Sequence, residues 1–285
     1  MLILTKLNFK ISLNSHVWFP LLSIILRLIP ATADFSYLML AVYALLGRQQ
    51  IIEALLLSWL FSMLNFSLVP DVEYASFTRY IIILTCFISI FFRFNFRKIE
   101  KITLVTFGLG IFFIIHSIFF SKIPEISILK GLNWIVVIMT LLLTWQDMVS
   151  LEYENTIKQI TRILSIIVLF SMLVLLLPDA GFNLNSRYFQ GLLNHPQAFG
   201  MTAAALGAIF MSQLFVQNRS ILLSVIMIVI CIASIKLSGS RTSAMALLSA
   251  VIISSSLLPI YTIKIIKSFF VSVDKIIIVV PLLVL

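Results

Sequence analysis

Two short stretches of this chain place arginine, amide, hydroxyl and imidazole groups beside glycine and proline, a combination suited to gripping an anion and a sugar together. The first runs Arg187-Tyr188-Phe189-Gln190-Gly191-Leu192-Leu193-Asn194-His195-Pro196-Gln197. Pro196 suits the first turn of a helix, with Asn194 or His195 as the cap before it. As plain structure, the stretch is a helix start. As a site, Tyr188 and Phe189 offer flat apolar faces to sugar rings, while Gln190, Asn194, His195 and Gln197 offer partners to hydroxyls. An imidazole at His195 also suits a base near neutral pH. The second stretch is Lys236-Leu237-Ser238-Gly239-Ser240-Arg241-Thr242-Ser243. Ser238 or Ser240 can cap a following helix, Gly239 permits close backbone approach, and the free amides of a helix start attract an anion. Arg241 adds a fixed charge with two parallel donors. The plain alternative is an N-cap whose arginine reaches out to lipid phosphate.

Charge around these stretches is one-sided. No acidic residue lies between Asp179 and Asp274, whereas Arg187, Arg219, Lys236, Arg241, Lys264 and Lys267 all do. Cations without acidic partners suit a phosphate or diphosphate group.

The elements that must carry these residues are membrane helices. Hydrophobic residues make up 61% of the chain and charged ones only 11%, well below the roughly 25% of soluble domains, so water is not the main solvent. A spanning helix needs about 20 mostly apolar residues, and such windows recur as continuous runs, which favours helices over a barrel. The runs predict spans near 17–33, 35–46, 50–69, 78–92, 102–120, 128–145, 160–177, 197–216, 220–236, 241–258 and from 275 onward, about ten or eleven crossings in a single transmembrane domain covering 1–285. The second run is only about 18 Å long at 1.5 Å per residue, so the first two are expected to form either a tight hairpin or one long bent helix. Cytoplasmic loops retain Lys and Arg, and an inside N-terminus places most of the basic residues inside. Arg79, Lys122, Lys130, Arg187, Lys236 and Arg241 then face outward, which sets the loop from Pro178 to Gln197 and the turn from Lys236 to Thr242 on one outer surface. The inner stretch from Gln146 to Thr161 reads as a solvated connector.

Several other features have plain readings. Cys86 and Cys231 lie within apolar runs and read as small buried hydrophobes. Lys6, Lys10, the run from Val17 to Ile29 and Ala31-Thr32-Ala33 imitate a cleaved signal, but Arg27 interrupts the run and an uncleaved first helix is expected. Arg27 and His116 lie at depth, where an arginine costs about 2.5–3.5 kcal/mol, so each needs a partner, a cavity or a route to the interface. For His116 the expected partner is a hydrogen bond to a neighbouring helix. Gly200, Ala204 and Ala208, and likewise Thr242, Ala246, Ala250 and Ser254, form small-residue stripes that let helices approach closely.

Arg187 with Gly191, Asn194-His195-Pro196-Gln197 and Ser240-Arg241-Thr242 together resemble the O-antigen ligase and polysaccharide polymerase family of bacterial envelopes. The resemblance covers about residues 187–250, and Gln197 departs from the Asn commonly found after the proline. It implies a GT-C-like polymerase/ligase membrane fold in the bacterial inner membrane. It further implies transfer of a glycan from an undecaprenyl-diphosphate carrier to an acceptor hydroxyl in O-antigen, lipopolysaccharide, capsule or exopolysaccharide assembly. Arg241, with Arg187 and Lys236, would hold the diphosphate and stabilise the leaving group, a task guanidinium groups can perform without a metal. Tyr188, Gln190, Asn194, Gln197 and Ser240 would line the same site, with His195 as the candidate catalytic group. No cofactor and no nucleic-acid partner is expected; the partners are the lipid-linked glycan, the acceptor glycan or lipid, and membrane lipids. Family members continue into a large outer loop and further spans, so this chain is expected to be a truncated form. The competing expectation is a transporter or flippase that binds the same carrier without chemistry.

Overall fold

The computed structural model of the protein describes residues 18–70, 75–95, 99–183, 188–216 and 221–261. Its regular elements are helical: α1 (Trp18–Leu28), a 3-10 turn (Pro30–Thr32), α2 (Ala33–Ala44), α3 (Arg48–Ser62), α4 (Ala75–Arg93), α5 (Lys101–Phe120), α6 (Pro124–Asp147), α7 (Ser150–Leu173), the single turn α8 (Pro178–Gly181), α9 (Pro196–Val216), α10 (Ile221–Ser238) and α11 (Arg241–Tyr261). Four of these, α5, α6, α7 with its 3-10 extension to Leu176, and α10, are long and apolar enough to cross a bilayer. The 20 residues of α5 span about 30 Å, the thickness of a hydrocarbon core. Their outer surfaces are apolar, as in Phe119 and Phe120 of α5, which are 74% and 75% exposed; lipid is the solvent that tolerates such a surface. The chain is a helical membrane protein. By contrast α2, with 12 residues, extends only about 18 Å and α3, with 15, about 22 Å. The expected span from 275 onward lies outside the described residues.

The chain divides into two compact units. The first comprises Met1–Ser62 with Pro70–Ile157, and the second Met63–Val69 with Lys158–Leu285.

In the first unit Pro30 ends α1, and the stacking of Phe19 on Tyr43 at 5.6 Å shows that α1 and α2 fold back as a hairpin, resolving the alternative left by the sequence. Helix α3 is the core of the unit. Every residue from Gln49 to Phe61 is buried, against α2, α4 and α6. It ends at Ser62, seven residues before the expected limit, because the following segment belongs to the second unit. Burial of Gln49, Gln50 and Glu53 in this core is matched by polar partners: the Tyr43 hydroxyl donates to Glu53, and Gln49 Nε2 donates to Glu152 O at 3.0 Å. Arg93 and Ser89 donate to Leu45 O and Ala44 O, occupying carbonyls that the end of α2 leaves open.

The stretch from Gln146 to Thr161 is not a solvated connector. Helix α6 continues to Asp147 and α7 begins at Ser150, leaving only Met148 and Val149 between them. The acids of this corner serve structure, for Arg48 Nε meets Asp147 Oδ2 at 2.6 Å and Arg48 Nη1 meets Glu152 Oε2 at 3.5 Å. His116 also departs from expectation. It is exposed on α5 and stacks on Phe120 at 4.7 Å, and among the described residues it makes no hydrogen bond to another helix. Cys86 and Cys231 are buried, as their apolar surroundings predict.

In the second unit α9 is the inner helix. Gly200, Ala203, Ala204, Gly207 and Ala208 are buried, and α9 packs against both α10 and α11, which touch each other little. A Cβ on Gly207 would come 3.0 Å from Leu247 of α11 and 3.3 Å from Cys231 of α10, so the small residues do set the approach. The stripe expected on α11 is offset by one residue. Thr242 and Ala246 are exposed, and Ser243 and Leu247 make the buried face.

Candidate functional site

The second unit brings the two motif stretches together. Phe189 N–H donates to Leu237 O at 3.1 Å, which fastens the loop before α9 onto the last turn of α10. Beside this bond the Tyr188 ring lies on Gly239. That glycine adopts φ +63°, a left-handed conformation that L side chains rarely adopt, and a Cβ there would collide with the ring. One turn into α9, a Cβ on Gly200 would lie 2.6 Å from Ser240 Cβ and 2.7 Å from Ser238 Oγ. The start of α9, the end of α10 and the start of α11 therefore meet at one end of the unit.

Hydroxyls shape the turn between α10 and α11. Ser238 Oγ donates to Ile235 O at 2.8 Å and accepts from Ser240 N–H at 3.3 Å. Ser240 is the N-cap of α11: its Oγ accepts from Ser243 N–H at 3.4 Å and shares a hydrogen with Ser243 Oγ at 2.7 Å. With Ser238, Ser240 and Ser243 buried and bonded to one another, the groups left at the surface are the side chains of Lys236 and Arg241 and the first amides of α11. Neither cation makes an ion pair among the described residues.

The loop before α9 is held from below. Gly191 adopts φ +59° against Ser171, whose Oγ accepts from Leu192 N–H at 3.1 Å. Gln190 N–H and Gly191 N–H both reach Gly181 O, at 2.9 and 3.2 Å. The segment Met63–Val69 clamps the other side: Asn194 N–H donates to Met63 O at 2.7 Å and Asn65 N–H to Leu192 O at 2.8 Å. Asn65, 3% exposed, also donates from Nδ2 to Ala180 O at 2.7 Å and Gly191 O at 3.3 Å. Sequence reasoning missed Asn65 and Ser171; an amide directly after an apolar run was the only local signal. Replacing Asn65 by Ala strips donors from two carbonyls, and we expect thermal unfolding in detergent to show a loss of about 1–3 kcal/mol.

Among the residues singled out from sequence, the structure separates exposed groups from scaffold. Tyr188 is 50% exposed, and His195, Gln197, Lys236 and Arg241 are exposed with it. Phe189 does not offer a face to sugars. It is fully buried, edge-on to Phe182 and Phe199 at 5.3 Å each, because adjacent residues of an extended segment face opposite ways. Gln190 is 7% exposed and accepts from Asn183 Nδ2 at 3.3 Å. His195 is the cap of α9, its Nδ1 accepting from Gln197 N–H at 3.2 Å. That bond leaves the proton of the neutral ring on Nε2. Asn194 Oδ1 is buried without a hydrogen-bond partner, an unusual position for an amide oxygen. Arg187 lies outside the described residues. Among the described residues no group of three or more His, Cys, Asp or Glu could hold a metal ion.

Fold and site together define a helical membrane protein with a cation-bearing, partly aromatic site at one end of a three-helix layer. No protein-family model, no curated protein and no solved structure matches the chain.

Proposed function

We propose that the chain is a membrane glycosyltransferase of the O-antigen ligase and polymerase type, crossing the bacterial inner membrane about ten times in a GT-C-like arrangement. Its substrate is a glycan carried on undecaprenyl diphosphate, which it transfers to an acceptor hydroxyl at the outer face. The observation that carries this reading is the docking of the loop before α9 onto the α10–α11 turn, through Phe189 N–H to Leu237 O and Tyr188 on Gly239. Docking makes one site of a half-exposed aromatic ring and two cations that make no ion pair among the described residues, which supports a ligand that is part sugar and part diphosphate.

In the reaction, the acceptor oxygen bonds to the anomeric carbon while the bond from that carbon to the diphosphate oxygen breaks, and the acceptor's proton passes to water at the exposed site. The diphosphate leaves with the electron pair, and its negative charge rises. Arg241 answers that charge with two parallel donors, Lys236 with a mobile ammonium, and the first amides of α11 with the positive end of the helix. The Tyr188 ring suits stacking against the first sugar, and His195 and Gln197, exposed at the start of α9, suit hydroxyl partners.

Reconstitution tests the reading. The chain in proteoliposomes with an undecaprenyl-diphosphate-linked repeat unit and an acceptor should release undecaprenyl diphosphate and form a new glycosidic bond. Movement of the lipid-linked unit across the bilayer with no new bond would assign transport instead. The cap bond at His195 gives a second expectation. His195→Asn supplies another capping side chain and should retain activity within about tenfold, whereas His195→Leu removes the cap and should lower stability by about 1 kcal/mol.

A further inference from the structure

The loop that carries Tyr188 and His195 is held by a residue whose hydrogen bonds go to the backbone between them. Asn65 is buried, and each of its polar atoms is used. Its N–H donates to Leu192 O at 2.8 Å, while Nδ2 donates to Ala180 O at 2.7 Å and to Gly191 O at 3.3 Å. Its Oδ1 accepts from Ser67 N–H at 3.0 Å, and its carbonyl accepts from Leu68 N–H and Val69 N–H, each at 3.0 Å. Only a carboxamide places two donors and an acceptor on one uncharged side chain. The shorter of the two, asparagine, also closes the local turn onto Ser67. Leu64 pairs with Leu193 in an antiparallel bridge, and Asn194 N–H meets Met63 O at 2.7 Å, one residue before His195. The turn between α10 and α11 is held differently, by bonds among Ser238, Ser240 and Ser243 and to Ile235 O. Loss of the Asn65 amide would therefore loosen residues 191–195 and leave the turn that carries Lys236 and Arg241 with its own bonds.

On the reading that the ligand is a glycan carried on undecaprenyl diphosphate, we propose that Asn65 is a positioning residue for the sugar side of the site. Through Gly191 and Leu192 it fixes where Tyr188, His195 and Gln197 meet the sugar. The grip of Lys236 and Arg241 on the diphosphate does not pass through it.

Equilibrium binding to the full chain in detergent, below the unfolding temperature of each variant, separates the two sides. The probes are undecaprenyl diphosphate alone and the same carrier bearing a repeat unit. Asn65→Ala should weaken binding of the glycan-bearing carrier about tenfold, the worth of about one hydrogen bond, and leave undecaprenyl diphosphate within about twofold. Transfer should fall about 10²-fold, the cost of a misplacement near 1 Å. Asn65→Asp keeps the shape but turns an oxygen toward Ala180 O and Gly191 O, and should lose at least as much. Ser171→Ala removes a second hold on the same loop, the acceptor of Leu192 N–H, and places a good helix former in α7. It should give the same split at smaller size, and it keeps the question answerable where an Asn65 variant fails to fold. Equal weakening of both probes in Asn65→Ala and Ser171→Ala, as general damage to the fold would give, overturns the proposal, and so does no change in either. A native chain that binds neither probe would instead overturn the reading of the ligand, and the role of Asn65 with it.

Discussion

Arg241→Ala is expected to lower glycan transfer by about 10²–10³-fold, the usual cost of removing one pre-positioned donor aimed at developing charge. The side chain is exposed and makes no ion pair among the described residues, so the fold should be nearly indifferent, with unfolding shifted by no more than about 0.5 kcal/mol. Arg241→Lys should fall between, because an ammonium keeps the charge but loses the two parallel donors. Release of undecaprenyl diphosphate by the reconstituted chain reads all three variants. Transfer at the native rate in Arg241→Ala would remove Arg241 from the mechanism.

Gly239→Val is expected to damage the fold itself. A β-branched residue at φ +63° costs about 1–3 kcal/mol, and the new side chain must also displace the Tyr188 ring, which adds about 1–3 kcal/mol of overpacking. Thermal unfolding in detergent should therefore shift downward strongly, and transfer should be lost with it. The two costs can be separated. Gly239→Ala combined with Tyr188→Ala removes the collision but keeps the backbone strain, so the double variant should be less destabilised than the sum of the single ones. Additive losses would mean that the ring does not rest on Gly239.

Sequence and structure agree best where the apolar runs are long. The limits of α5, α9, α10 and the start of α11 fall within a few residues of the expected ones, because a continuous apolar run bounded by Lys, Pro or Ser has little other choice. Helix starts at Pro196 and Arg241 were legible for the same reason, as local capping chemistry. What the sequence could not show is contact between distant segments. The Arg48 to Asp147 and Glu152 pairs join residues about a hundred positions apart, and they turned an apparent solvated loop into two helices meeting at a corner. Phe189 and Tyr188 are equivalent in sequence but opposite in fate, since only packing against Phe182 and Phe199 decides which of them is buried. The offset of the α11 stripe has a similar cause: small residues occur at 242 and 243 alike, and Gly200 of the facing helix selects the latter.

Under the proposed function, the loop before α9 and the turn before α11 are two edges of one site facing the outer side of the membrane. Cysteines placed singly at Gln197 and Arg241, in a chain whose Cys86 and Cys231 are buried, can be challenged in intact cells with a maleimide that does not cross membranes. Both positions should be labelled from outside without permeabilisation. Labelling of either one only after the membrane is opened would contradict the account.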